Sequence, residues 1–112
     1  MPIDPIVSLS PPTDAELEAV EREMLASGSS EDHLDWVAFM FFTHERWDKA
    51  RDYYRRLVDR VPTNGSYHFY LAESLLQSGD SSEARTHWQR AVDLDVEGRY
   101  AALSRTRLAP PE

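Results

Sequence analysis

Apolar residues in this chain recur at spacings of three and four, the signature of helices that bury one face. Leu17, Val20, Met24 and Leu25 form the first such stripe. It is preceded by Thr13 and Glu16 at capping-box spacing and followed by Gly28 among serines. Acids in its first turn suit the positive end of the helix dipole. The pattern predicts a second helix from Ser30 or Glu31 to about Thr43, and a third that follows a very short turn and runs to Arg60. Val61-Pro62 closes the third, because the residue before proline is pushed out of the helical region. Asn64 is a good N-cap for a fourth helix ending near Ser78 at Gly79. Asp80 and Glu83, again at capping-box spacing, open a fifth that runs to about Leu94. A sixth is expected from Glu97 to Leu108, with Arg105 and Arg107 at the negative end of its dipole. No segment alternates in the manner of a strand, so the fold class is all-α.

Laying residues 31–64 over 65–98 gives an ungapped internal match at a period of 34. Identities fall at Ala38/Ala72, Ala50/Ala84, Arg51/Arg85, Arg56/Arg90, Val58/Val92 and Asp59/Asp93. Similar pairs are Val37/Leu71, Phe41/Leu75, Trp36/Tyr70, Tyr54/Trp88 and Leu57/Ala91. Two helices per 34 residues is the spacing of the tetratricopeptide repeat, and the residues resemble that family in detail. Ala50 and Ala84 match its small residue early in the second helix, where the two helices approach closely. Ala38 and Ala72 match the small residue of the first helix, Tyr54 and Trp88 the aromatic of the second, and Pro62 the closing proline. Three positions depart from the pattern: Glu45 stands where glycine is usual, Val96 where proline is usual, and Leu57 where alanine is usual. The resemblance covers about 68 of the 112 residues.

The resemblance implies a short right-handed α-solenoid of two helical hairpins, residues 31–64 and 65–98. Residues 13–30 and 99–112 would supply an N-terminal capping helix, and a C-terminal capping helix with a tail. Residues 1–12, with four prolines, read as a flexible arm. The physical logic is independent of the name: a lone hairpin cannot bury its apolar face, so stacked units share one core. Residues 13–26 could also be the second helix of a decayed repeat.

In this family the first helices line a concave groove. Position by position, the groove would hold Asp32, Asp35, Phe39 and Phe42 from the first unit. The second unit would add Ser66, Phe69, Glu73 and Leu76. Neither first helix, 31–43 or 64–78, contains a lysine or arginine. Such a surface suits a partner protein or peptide with apolar anchors flanked by basic residues. The same phenylalanines could instead meet a second copy of the chain or lie under the N-terminal arm. Some family members hold a C-terminal carboxylate with lysine and asparagine on these helices. Asp35 and Phe39 occupy corresponding positions here, so an acidic tail is not the expected ligand.

Charge sharpens this reading. Up to Glu45 there are ten acids and one base, Arg22; from Arg46 onward, ten acids and eleven bases. An acidic front half opposes nucleic acid and anionic membrane. It also leaves open a self-assembling scaffold that joins acidic front to arginine-bearing back. The bases Arg46, Lys49, Arg51, Arg55, Arg56 and Arg60 alternate with acids and read as a solvated face laced by i, i+4 pairs. With no cysteine, disulfides and thiolate chemistry are excluded. The histidines His33, His44, His68 and His87 show no ligand spacing, no glycine-rich phosphate loop is present, and no nucleophile has an evident base. No catalytic residue, metal or cofactor is therefore expected. The N-terminus lacks a basic leader followed by an apolar run, and the longest apolar stretch, Trp36 to Phe42, is far short of a membrane span. The expectation is a non-catalytic adaptor or chaperone-like module of the cytoplasm.

Overall fold

The computed structural model describes residues 11–95 and 97–110, so the expected arm over residues 1–12 lies almost wholly outside the described residues. Six helices follow one another: α1 (Asp14–Ala26), α2 (Glu31–Thr43), α3 (Trp47–Arg60), α4 (Gly65–Gln77), α5 (Ser81–Leu94) and α6 (Arg99–Leu108). There is no strand among the described residues. Each helix packs on the next, and α6 also reaches α4. The architecture is an all-α helical-repeat solenoid, in which α2, α4 and α6 form one layer and α3 and α5 the other.

Side chains that the sequence marks as caps start most of these helices. Thr13 Oγ1 accepts from the Glu16 amide while the Glu16 carboxylate accepts from the Thr13 amide, completing the capping box. Asn64 Oδ1 accepts from the amides of Ser66 and Tyr67. Asp80 accepts from the Glu83 amide at 3.1 Å, but the box there is only half made. The Glu83 carboxylate turns to Arg55 of α3 instead, at 2.5 Å. The sixth helix begins two residues later than its pattern suggests. Gly98, its N-cap, closes a turn onto the Asp95 carbonyl, and a side chain on Gly98 would collide with the Asp95 carboxylate.

The core lies between the two layers. Ala38, Ala50, Ala72 and Ala84 are completely buried, so the helix backbones approach where only a methyl fits. Val37, Phe41, Tyr54, Leu57, Leu71 and Leu75 fill the space around them. Leu57, larger than the family's usual alanine, is fully enclosed. The terminal helices are thinner: α1 buries only Leu17, and Val20, on the same stripe, stays exposed. Polar contacts hold α1 in place. Glu21 accepts from Lys49 at 3.2 Å and from the Tyr53 hydroxyl, and Asp14 accepts from Arg46. Two acids of the front half are thus paired inside the chain with bases of α3 and the turn before it. The anticipated i, i+4 pairing along α3 gives way to these longer-range contacts, to Arg55–Glu83, and to Arg56 lying 5.0 Å from the Tyr53 ring centroid.

Candidate functional site

The layer of α2, α4 and α6 carries a hollow of about 400 Å³ lined by Asp32, Asp35, Trp36, Phe39, Ser66, Tyr70 and Tyr100. Helical spacing explains the lining. Asp32, Asp35, Trp36 and Phe39 lie three or four apart and share one side of α2. Tyr70, the repeat equivalent of Trp36, comes from α4, and Tyr100 comes from the first turn of α6. Tyr70 is fixed between the other two helices. Its ring meets Phe39 edge-on at 5.7 Å and Phe42 at 4.9 Å, and its hydroxyl lies 3.2 Å from that of Tyr100. Trp36 and Phe39, by contrast, leave 49% and 45% of their surface open.

Neither Asp32 nor Asp35 has an ion-pair partner among the described residues, whereas Glu21, Glu73 and Glu83 each have one. The Asp35 carboxyl is pushed above its ordinary range by partial burial, reinforced by the nearby charges of Glu31 and Asp32. Glu31 is engaged otherwise, accepting from the Tyr67 hydroxyl at 2.7 Å.

The anticipated groove residues have different placements. Asp32, Asp35 and Phe39 line the hollow together with Ser66. Phe42 is half-buried among Trp47, Tyr54 and Tyr70 and acts as a support beneath it. Phe69 is only 6% exposed, because Tyr100 of α6 packs across it with ring centroids 5.5 Å apart. Glu73 is held by Arg107 of α6 at 2.6 Å. Leu76 is exposed at the last turn of α4 and does not reach the hollow. Trp36, Tyr70 and Tyr100 were not among the anticipated residues. The aromatic pair Trp36/Tyr70 in the repeat was the signal that could have found two of them.

A second hollow of about 450 Å³ opens between α1 and α2, lined by Leu17, Val20, Trp36, Phe39, Met40, Thr43 and His44. Trp36 and Phe39 belong to both. A third, of about 380 Å³, lies beside the α2–α3 turn, where Arg46 and Lys49 are already paired with α1.

His68 and His87, 19 residues apart, stack with their Nδ1 atoms 2.9 Å from each other. His68 Nε2–H donates to the Pro62 carbonyl at 2.8 Å, which leaves its Nδ1 to accept from His87. Burial lowers both imidazoles below their ordinary range. Among the described residues no group of three or more His, Cys, Asp or Glu side chains is arranged to hold a metal ion. No helix among them is long and apolar enough to cross a membrane.

Comparison with curated proteins and with solved structures gave no match. A tetratricopeptide-repeat family model matches residues 41–105, from the last turn of α2 into α6 and over more than half of the chain. Repeats of this kind generally mediate protein–protein interaction, and the family is typically non-catalytic. With two alanine-sealed hairpins in series and that match, the chain belongs to the tetratricopeptide repeat family.

Proposed function

We propose that this protein is a non-catalytic adaptor or chaperone-like module, working in the cytoplasm, that holds a segment of a partner protein on the face of α2, α4 and α6. One observation carries the reading. Trp36 and Phe39, each about half exposed, stand beside Asp32 and Asp35, which have no ion-pair partner among the described residues. Large apolar side chains left open in a hollow mark interaction surfaces. In this reading Asp32, Asp35 and Phe39 touch the partner, and Phe42, Phe69 and Glu73 hold the wall in shape. Leu76 extends the surface along α4.

The test replaces Trp36 and Phe39 together with serine. Both are about half exposed, so helicity should be kept and the unfolding midpoint should fall by no more than several degrees while partner capture from source lysate is lost. Capture undiminished in that variant would defeat the proposal. Phe69 is unsuitable for such a test, since its burial under Tyr100 would turn loss of binding into loss of fold.

Self-assembly through the same face is the alternative occupant. A two-fold contact through α2 and α4, which carry no lysine or arginine, would bring their acids together, which charge disfavours. The pairing of Glu21 and Asp14 within the chain also takes two acids from a head-to-tail contact. Sedimentation at low and high salt separates the alternatives, with a concentration-dependent dimer favouring self-assembly.

A further inference from the structure

We infer that the face recognises a bipartite signature: one lysine or arginine side chain in the hollow at Asp32 and Asp35, and one apolar side chain in the cleft between α1 and α2, with Trp36 dividing them. The inference rests on the concave-face reading above and specifies its ligand.

Chemistry assigns the two compartments. The first hollow joins two unpaired carboxylates to the rings of Trp36, Phe39, Tyr70 and Tyr100. Carboxylates attract a cation, and aromatic faces add to that attraction through their quadrupole once water is displaced. The chain's own Arg99 already lies 5.8 Å from the Tyr100 ring centroid, so a ring of this wall does hold a guanidinium beside it. An anionic or neutral polar anchor would gain nothing there. A purely apolar one would leave Asp32 and Asp35 desolvated without a partner. The second hollow offers Leu17, Val20 and Met40 and no carboxylate, which suits an aliphatic or aromatic side chain.

Geometry ties the two into one ligand. Trp36 and Phe39 line both hollows, so they are contiguous rather than separate sites. Because they share these two side chains, one extended segment, at about 3.3–3.6 Å per residue, can reach both. The ligand is thus a linear segment with its basic and apolar residues close together in sequence. Charge complementarity selects a basic segment over a second copy of the chain. Helices α2 and α4 carry no lysine or arginine, and their acids would repel those of a copy docked on them.

The test is selection of random dodecapeptides displayed on phage against the full chain, followed by titration of a synthetic peptide of the enriched sequence. The expected enrichment pairs Lys or Arg with Leu, Ile, Phe or Trp at one fixed short spacing. Asp32→Asn with Asp35→Asn should weaken that peptide about tenfold or more, and should not affect the version whose basic residue is glutamine. Val20→Asp should weaken the parent peptide but not the version whose apolar anchor is serine. Enriched peptides without a basic residue, or an affinity unchanged in the double asparagine variant, would overturn the inference and leave the concave face standing. Peptides that bind the Trp36→Ser, Phe39→Ser protein as well as wild type, or no enrichment at all, would overturn both.

Discussion

Glu45 and Gly79, 34 residues apart, occupy the same left-handed backbone turn, with φ of 61° and 94°. Each follows the last residues of a first helix. The next amide reaches back in the same way, Arg46 to the Phe41 carbonyl at 2.9 Å and Asp80 to the Leu75 carbonyl at 2.8 Å. This is the Schellman ending, which glycine enters without steric cost and a residue with a Cβ does not. Glu45 is exposed, so its side chain offers little in return. Replacing it with glycine should stabilise the fold by about 1 kcal/mol, raising the unfolding midpoint by a few degrees. Glu45→Val should lower it. Thermal unfolding followed by circular dichroism checks both signs.

Tyr53 and Tyr54 are adjacent and should respond oppositely to loss of the hydroxyl. Tyr54 is fully buried and its hydroxyl meets no partner among the described residues, while the Tyr53 hydroxyl donates to Glu21. Tyr54→Phe is expected to be stabilising by up to about 1 kcal/mol, since a desolvated unpaired group is removed. Tyr53→Phe is expected to cost about 1–2 kcal/mol, because Glu21 loses a charge-assisted bond that docks α1. Urea titration of the two variants reads the difference.

The histidine pair gives the fold an acid-sensitive joint. Both imidazoles titrate below their ordinary value of 6.5 in the folded chain, from burial first; each also feels a nearby positive charge, His68 from Arg90 and His87 from His68 and Arg55. The unfolded chain therefore takes up protons first as pH falls. Stability from the neutral pair is complete above about pH 6.5 and declines as pH drops through the lower folded values. Glu83, held below its ordinary range by Arg55, loses its contribution only in the more acidic window below 4.5. The unfolding midpoint should fall from pH 7 toward pH 5, and His87→Gln should make that slope shallower. An identical slope in the variant would place the loss elsewhere.

Much of the fold was legible because its causes are local. Cap residues such as Thr13 and Asn64 act within three positions, and the small residues Ala50 and Ala84 recur at a fixed period. What was illegible depends on which helix lies across from which. His68 and His87 meet only because α4 and α5 pack together. Phe69 and Asp35 hold equivalent repeat positions, yet α6 covers Phe69 while Asp35 faces the hollow. The charge asymmetry was readable as a total, but its destination, α1 acids on Arg46 and Lys49, required the fold. The late start of α6 turned on a turn closed by Asp95 and Gly98, which periodicity does not encode.

Asp35 should show a trade between stability and binding. Its carboxyl is raised by burial and by Glu31 and Asp32, so the ionised form costs stability at neutral pH, and the cost is relieved as pH falls toward 3.8. Asp35→Asn is expected to raise the unfolding midpoint modestly at pH 7 while weakening basic peptides. Calorimetry and peptide titration on the same sample check the pair of signs. A residue kept for its charge at the fold's expense would fit a binding role.

Contact between partner and the face of α2, α4 and α6 is tested most directly by photo-crosslinking from single sites. A photoreactive phenylalanine analogue at Phe39 samples that face, and the same analogue at Arg85, exposed on α5, samples the opposite layer. The expected result is a discrete crosslinked species from position 39, competed by excess unlabelled protein, and none from position 85. Crosslinks from position 85 with none from position 39 would contradict the account.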